Sequence, residues 1–578
     1  MTSARPRWRW WGALLLVIAP IALLLAAVAR LGVNTLLADE FYYVDFIKLV
    51  REGGDWTPWI WLQHNEHRVI PMKLLMVLLA GPTRWSQHAE MLCSVGLSAL
   101  IVLVLWRVYR SRVGGSDAAG LLAFAPVAWL VCSLSQYENQ FFGMMVCHYF
   151  TALGAVASLW LLARGGWIST LLAVLAAVMG AFSIVNGFLV FPAGIAVLAA
   201  HRAGWGRWTA WCLGGGAAIT LYFRSYLSPP HTPVFQRTLV GAYKILKLWL
   251  ATAGAPLAAG SVAWGITLGA LLMAVSVFLG LRWLQADPAR REKDSVAVGL
   301  LLFGLASAAM VAAGRAFMNP PNDPLGSRYI TYSTLAWIGA YFLVLGRAGE
   351  DRQGAWKTVA WSLLVPGLLA ANLHGLAEAR RWRDQRLLDQ YVFQTITLQS
   401  DAVVPRLGPP SSVRPAASYL SAARLSAFAE PQRIVMLMNA TNAKPTGEIL
   451  RGQEVEQRLV CPVGKLYDAA VMILPSALPD GDFVVTVASG GRELARRSFT
   501  TASLREWTWV QVLLDTPLPC AGRDLTVRIE SLNTTPGSGV MVLANEPYYQ
   551  GELRQGGAPI PDRRLGMALN AFHFGILP

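Results

Sequence analysis

The sequence predicts a polytopic α-helical membrane protein of about eleven transmembrane helices, closed by a C-terminal extracytoplasmic β-sandwich of jelly-roll type. Three observations predict it. Of the 578 residues, 54% are hydrophobic and only 14% charged, where soluble domains carry about 25% charged residues. Apolar runs close to the roughly 20 residues that cross about 30 Å of hydrocarbon recur as far as residue 375. After about residue 400 the pattern turns into short alternating runs broken by turn residues, as strands require.

The first run, 11–31, follows Arg5, Arg7 and Arg9. Its length and the lack of a small-x-small cleavage pattern after it read as a retained anchor rather than a signal peptide. Further spans are expected at 89–107, 119–133, 143–163, 167–184, 187–201, 208–226, 262–284, 296–313, 328–346 and 358–375. Gly187 and Pro192 interrupt the near-continuous stretch from 167 to 201. Many of the 23 Trp residues lie at span ends, where the interface favours their amphipathic rings. With the N-terminus cytoplasmic, the inner loops hold Arg107, Arg110 and Arg112, then Arg164, then Arg202 and Arg207, then Arg290, Arg291 and Lys293, then Arg347, Arg352 and Lys357. That distribution obeys the positive-inside rule. It also accounts for the net charge of +15 as a topology signal, not a nucleic-acid surface. An odd number of spans leaves the chain after 375 on the outer face of the membrane, and the protein is expected to act as a monomer.

The outer side then carries a long loop at 32–88. Within it Phe41–Val50 reads as an amphipathic helix with Phe46, Leu49 and Val50 on one face, and Trp56, Trp59 and Trp61 as an interfacial belt. Residues 69–80 are apolar but too short to span, so they are expected to lie in the interface. The expected domains are 1–375, a linker helix at 376–400, and a β-domain at 401–578.

Four cysteines, Cys93, Cys132, Cys147 and Cys212, fall in or beside spans and read as packing residues. Cys461 and Cys520 alone lie in the β-domain, each at the end of a strand-like run. An outward-facing domain permits a disulfide between them. A small outer β-sandwich is either a structural cap or a carbohydrate-binding module; the absence of a visible aromatic platform favours the cap.

Four polar clusters fall on the outer side. They are Asp39-Glu40 with Asp45, the run His64-Asn65-Glu66-His67-Arg68, Gln136-Tyr137-Glu138-Asn139-Gln140, and Arg315 with Asp323 and Ser327-Arg328-Tyr329. Arg224 and His231 flank another outer loop. Each has a plain structural explanation: a lone Arg at a span end snorkels, and a single His or Glu in a loop is usually solvated. His64 and His67 lack the HExxH spacing of zinc hydrolases, so no metal ligand set is assigned. The coincidence of four clusters on one face points instead to a polar cavity at the membrane edge.

In this layout the chain resembles the GT-C class of integral-membrane glycosyltransferases. The resemblance rests on Asp39-Glu40 in the first outer loop, the interfacial helices after it, the odd span count, the external β-domain, and the pattern Gly314-Arg315 … Ser327-Arg328-Tyr329. It implies transfer of a sugar from a polyprenyl-phosphate donor to a glycan or lipid-linked acceptor, with a first-loop carboxylate as general base. Asp39 is the first choice for that base and Glu40 the second. Arg315 and Arg328, then His67 and Arg68, are the candidates for the donor phosphate. Glu66, His64, Glu138, Arg224, His231 and Tyr329 are acceptor-side or secondary candidates. Some members of the class use a divalent cation such as Mg or Mn, and Glu138 is the residue here that suits one. The competing readings are an oligosaccharide polymerase or ligase and a transporter of lipid-linked glycans. The latter expects functional charges at the bilayer midplane, and the spans hold few.

Overall fold

The computed structural model describes residues 7–114, 117–229, 237–318, 325–346, 353–394, 396, 404–429, 435–437, 443–478, 480–504, 507–545, 549 and 551–571. Two compact units emerge. The first comprises Met1–Gly32, Leu49–Thr83 and His88–Arg381; the second comprises Val33–Lys48, Arg84–Gln87 and Trp382–Pro578. The division differs from a simple cut after 375. Two pieces of the first outer loop fold with the C-terminal unit, and the helix Gln353–Gln394 runs past the expected linker boundary.

Each of the eleven apolar runs lies on helix, from Arg7–Leu31 to Gln353–Gln394. Six helical stretches among the described residues are long and apolar enough to cross a bilayer: Trp8–Leu31, Gln87–Arg112, Ala118–Phe141, Gly143–Arg164, Val262–Leu284 and Pro288–Arg315. Trp167–Ala181 and Val185–Ala200 are apolar but shorter, so length and composition alone do not reach the expected eleven. The structure adds one helix the hydropathy pattern hid, Leu239–Gly254, capped by the Thr238 hydroxyl on the Gly241 N–H at 3.0 Å. Lys244 and Lys247 break its hydropathy, but its last turn of Ala251, Thr252, Ala253 and Gly254 is buried. Small residues allow the close approach: a Cβ on Gly269 would sit 1.9 Å from the Leu250 carbonyl, which no side chain could tolerate.

The hydrogen bonds sort the helix termini of this unit into two ends. At one end Arg112 meets Asp294 at 2.6 Å, His201 meets Glu292 at 3.2 Å, and the Trp283 indole donates to the Arg291 carbonyl at 3.0 Å. At the other, Ile70 N–H donates to Phe182 O at 2.9 Å, Leu134 N–H to Asn372 Oδ1 at 3.0 Å, and Asn139 Nδ2 to Arg328 O at 2.9 Å. The second end gathers most of the candidate residues. Ile70–Ala80 starts there with Pro71 in its first turn, where a missing N–H is harmless.

In the second unit, two antiparallel sheets form the β-domain. One runs Val435–Leu437, Met567–Leu569, Lys465–Pro475, Val540–Asn545, Arg564–Leu565, with Lys444–Pro445 and Thr508–Pro519 paired onto it. The other runs Ala558–Pro559, Gly551–Gln555, Glu454–Val460, Asp524–Ser531, Asp482–Ser489, Arg492–Thr500. Alternation decides the faces: Val455, Leu459, Leu525, Val527, Ile529, Phe483, Val485 and Val487 are buried. The opposite face of the second sheet carries Glu456, which accepts from Arg458 Nε at 2.6 Å and Arg528 Nη2 at 2.8 Å. An open cavity of about 610 Å³ on that face has no aromatic residue in its lining. Cys461 and Cys520 form a disulfide.

The same unit fixes the start of the first loop. Ala38 N–H donates to Leu407 O at 3.1 Å, Asn34 Nδ2 to Ser426 O at 3.0 Å, and Phe41 packs edge-on against Phe393, which meets Phe428 in turn. The amphipathic segment expected at Phe41–Val50 becomes a 3-10 turn, Ala38–Tyr43, followed by the helix Val44–Glu52, which buries Val44, Phe46 and Ile47.

Candidate functional site

At the polar end of the helical unit, His64-Asn65-Glu66-His67 closes a tight hairpin. His64 and His67 exchange both backbone hydrogen bonds, at 2.7 and 2.8 Å. Asn65 takes the positive φ of 47° that the turn demands, a conformation Asn accepts more readily than most residues. The turn presents Glu66 to Arg315, 3.9 Å from Oε1 to Nη2, while the Glu66 carbonyl accepts from the Tyr222 hydroxyl at 2.7 Å.

Arg68 does a different job from the one expected. It is buried, and its guanidinium donates to the carbonyls of Tyr222 (3.0 and 2.8 Å), Arg224 (2.6 Å) and Trp61 (2.7 Å), with its plane 5.2 Å from the Trp61 ring. Those donors tie the loop to the end of the helix Trp205–Phe223. Arg224 enters this arrangement through its backbone carbonyl. The next residue, Val69, is held at φ 47°, a strained setting for a β-branched side chain that costs on the order of 1–3 kcal/mol and persists only where surrounding contacts overdetermine it. Lys73, fully buried, donates to Leu62 O at 2.5 Å. Burial first, and Arg68 second, pull its amine down to about 7.

His67 is partly buried, and its Nδ1 accepts from Val185 N–H at 3.4 Å. Burial drives its imidazole down to about 4, with Glu66 opposing and His64 and Arg315 reinforcing the shift. The imidazole is therefore neutral at pH 7.

On the other side of this end, Glu138 holds the start of the helix Ile330–Leu345. Ser327 Oγ donates to Glu138 Oε2 at 2.6 Å, Arg328 N–H donates to the same oxygen at 3.2 Å, and the Arg328 guanidinium stands 3.9 Å from Oε1. Asn139 Nδ2 also donates to Thr331 Oγ1 at 2.8 Å, and Thr331 donates to Gln136 Oε1 at 2.6 Å. The Arg328 guanidinium lies 5.7 Å from the Tyr329 ring. Separations of 3.9 Å lie beyond hydrogen-bonding range. Arg315 and Arg328 are thus held near carboxylates by charge, with no bidentate fork closed on either.

Two residues of this end carried no clear sequence signal: His148, 6% exposed, and Tyr332, 1% exposed, whose hydroxyl lies 2.7 Å from His148 Nδ1. Both sit in the first turn of apolar helices, Val146–Arg164 and Ile330–Leu345. A histidine at a span start was the available signal, but periodicity could not say which face it occupied.

Asp39 and Glu40 belong to the second unit, and the structure separates them. Asp39 is exposed; Glu40 is fully buried and accepts from Leu37 N–H at 2.9 Å. Arg386, within charge reach of Glu40, pairs with Asp389 at 2.7 Å, and Asp389 accepts from Arg406 Nε at 2.7 Å. His231 and Asp323 lie outside the described residues. Among the described residues no group of three or more His, Cys, Asp or Glu side chains is arranged to hold a metal ion.

No family model matches the chain, and neither does any curated protein sequence. Among solved structures it is similar to the cryo-EM structure of arabinosyltransferase EmbB from Mycobacterium smegmatis, at TM-score 0.36 and 12% identity. That match covers 99% of this chain, which spans 66% of the length of the other.

Proposed function

We propose that this chain is a membrane glycosyltransferase of the GT-C kind, moving a sugar from a polyprenyl-phosphate donor to a glycan or lipid-linked acceptor on the outer face of the cytoplasmic membrane. The observation that carries the reading is the pair of guanidiniums at one end of the helical unit. Arg315 and Arg328 each stand 3.9 Å from a carboxylate, close enough to be held and too far to be closed. Planar, permanently charged forks of this kind suit a phosphate, and the surrounding helices are apolar enough for a lipid-linked one.

In the proposed reaction the acceptor hydroxyl attacks the anomeric carbon from the face opposite the phosphate. Its proton passes to the Asp39 carboxylate as the new C–O bond forms. The bond from the anomeric carbon to the phosphate oxygen breaks, its electron pair stays on that oxygen, and polyprenyl phosphate leaves with the anomeric configuration inverted. Arg315 and Arg328 oppose the charge that grows on the leaving group, with neutral His67 as a further donor. A phosphate leaving group needs little protonation, so one base suffices. Exposure makes Asp39 the better base, because Glu40 is occupied in holding the loop. The N-terminus is then cytoplasmic and the β-domain outside.

The test is release of polyprenyl phosphate by the purified full chain from radiolabelled polyprenyl-phosphate sugars. Asp39→Asn is expected to abolish release, and Arg315→Ala and Arg328→Ala to raise KM for the donor about 10- to 100-fold, the worth of a hydrogen-bonded charge. Full turnover by Asp39→Asn would remove the base assignment. Absence of release from any such donor by the unmodified chain would remove the reading.

A further inference from the structure

The mechanism uses neither His148 nor Tyr332, yet both polar groups are buried where two apolar helices of the helical unit begin. A Leu–Phe pair would fill the same space at no polar expense, and ionisable groups inside membrane helices are by default functional. Contacts along the chain link the pair to the phosphate candidates on both sides. Tyr332 lies one helical turn beyond Arg328. His148 follows Cys147, whose carbonyl accepts from Ser183 Oγ at 2.8 Å, and two residues on Val185 N–H reaches His67 Nδ1. His67 and Arg328 both act on His148 electrostatically.

The Tyr332 hydroxyl engages one ring nitrogen, Nδ1, and can donate to it or accept from it; an anion at the other nitrogen selects the tautomer in which the phenol donates. With the phenol donating to Nδ1, the imidazole proton sits on Nε2, which has no hydrogen-bond partner among the described residues. On a residue only 6% exposed, an Nε2 that no described residue engages is available to a ligand acceptor. The helices Val146–Arg164 and Ile330–Leu345 both begin at this end, and their N-terminal dipoles favour an anion there.

We infer that His148, oriented by Tyr332, donates its Nε2–H to the phosphate of the lipid carrier at the end of the helical unit that also holds His67 and Arg328. The inference rests on the donor class proposed above and extends its phosphate site by one binding residue and one positioning residue. Tyr332 acts only through the imidazole: its hydroxyl holds the ring plane, and the phosphate acceptor selects the tautomer with the proton on Nε2.

Binding separates this inference from the reaction. The full chain in nanodiscs is titrated with polyprenyl monophosphate, with polyprenol, and with inorganic phosphate. The unmodified chain is expected to prefer polyprenyl monophosphate to polyprenol, and inorganic phosphate to compete only weakly. Full competition by inorganic phosphate would mean a free-phosphate site and overturn the lipid assignment. His148→Leu is expected to weaken polyprenyl monophosphate about tenfold or more, the range of a hydrogen bond to a charged group, without changing polyprenol binding. His148→Gln, whose amide places an N–H near the Nε2 position, should recover part of the loss, and Tyr332→Phe, which keeps the ring, should lose several-fold. If His148→Leu does not fold, Tyr332→Phe and His148→Gln decide. Unchanged binding by the folded variants, while Arg328→Ala loses affinity, would overturn the inference and leave the proposed function standing. No preference for the phosphate lipid in the unmodified chain would overturn both.

Discussion

Glu40 turns its carboxylate back onto the N–H of Leu37 at 2.9 Å, so the two adjacent acids of the first loop cannot share one role. The buried acid holds the 3-10 turn Ala38–Tyr43 in place, and its neighbour Asp39 is exposed, as the proposed base requires. Glu40→Ala is expected to destabilise the chain by about 1–3 kcal/mol, the cost of abandoning a buried donor, and to lower kcat through misplacement of the loop. Asp39→Asn is expected to abolish turnover while the chain still unfolds cooperatively. Thermal unfolding measured beside sugar transfer checks both; a stable, inactive Glu40→Gln with an active Asp39→Asn would reverse the assignment.

At the end of the helical unit away from Arg315 and Arg328, Arg112 and Asp294 meet at 2.6 Å with both side chains almost wholly buried. Asp294→Asn leaves the guanidinium buried against a neutral amide, at a cost of about 3–5 kcal/mol. Replacing both residues with leucine should recover most of that loss, because the desolvation penalty goes with the charges. Unfolding of the single and double variants in the same detergent is the measurement, and equal losses in both would contradict it.

His67 sets a pH dependence with a definite sign. Its imidazole falls to about 4 in the folded chain against about 6.5 when unfolded. Between those values the unfolded state binds more protons, so folding stability is complete above pH 6.5 and declines as pH falls through 6.5 towards 4. His67→Gln should flatten that part of the stability profile and leave the region above pH 7 unchanged. An unaltered slope in the variant would show that other groups carry it.

Cys461 and Cys520 close a loop of 59 residues. The chain-entropy relation gives about 4 kcal/mol for a loop of that length. Cys461→Ser with Cys520→Ser in the full chain should therefore raise hydrogen exchange in Glu454–Val460 and Thr508–Pro519, the strands beside the bridge, while the helices Gln87–Val113 and Pro288–Arg315 keep their protection.

Much of the architecture was legible because its signals are one-dimensional. An apolar run of about twenty residues has few alternatives to a helix, and each such run lies on one here. The strands at Asp482–Ser489 and Asp524–Ser531 announced themselves by alternation and by the Ser489-Gly490-Gly491 turn, whose glycines take φ values of 57° and 78°. Leu239–Gly254 was hidden because its burial depends on small residues meeting Gly265 and Gly269, and small residues carry almost no hydropathy signal.

By itself, then, the sequence determined the two kinds of structure, the sites where polar groups cluster, and which residue types are available there. Only the tertiary structure decided how those groups are used. It engaged Arg68 with three carbonyl oxygens, held Arg315 and Arg328 each 3.9 Å from a carboxylate, buried Glu40 and exposed Asp39, and set Tyr332 against His148. The physical reason is that hydropathy and periodicity report which face a residue prefers, averaged over a turn. Whether a guanidinium's donors are taken or open depends on carbonyls about 150 residues away in sequence, such as those of Tyr222 and Arg224, and no local pattern encodes that distance.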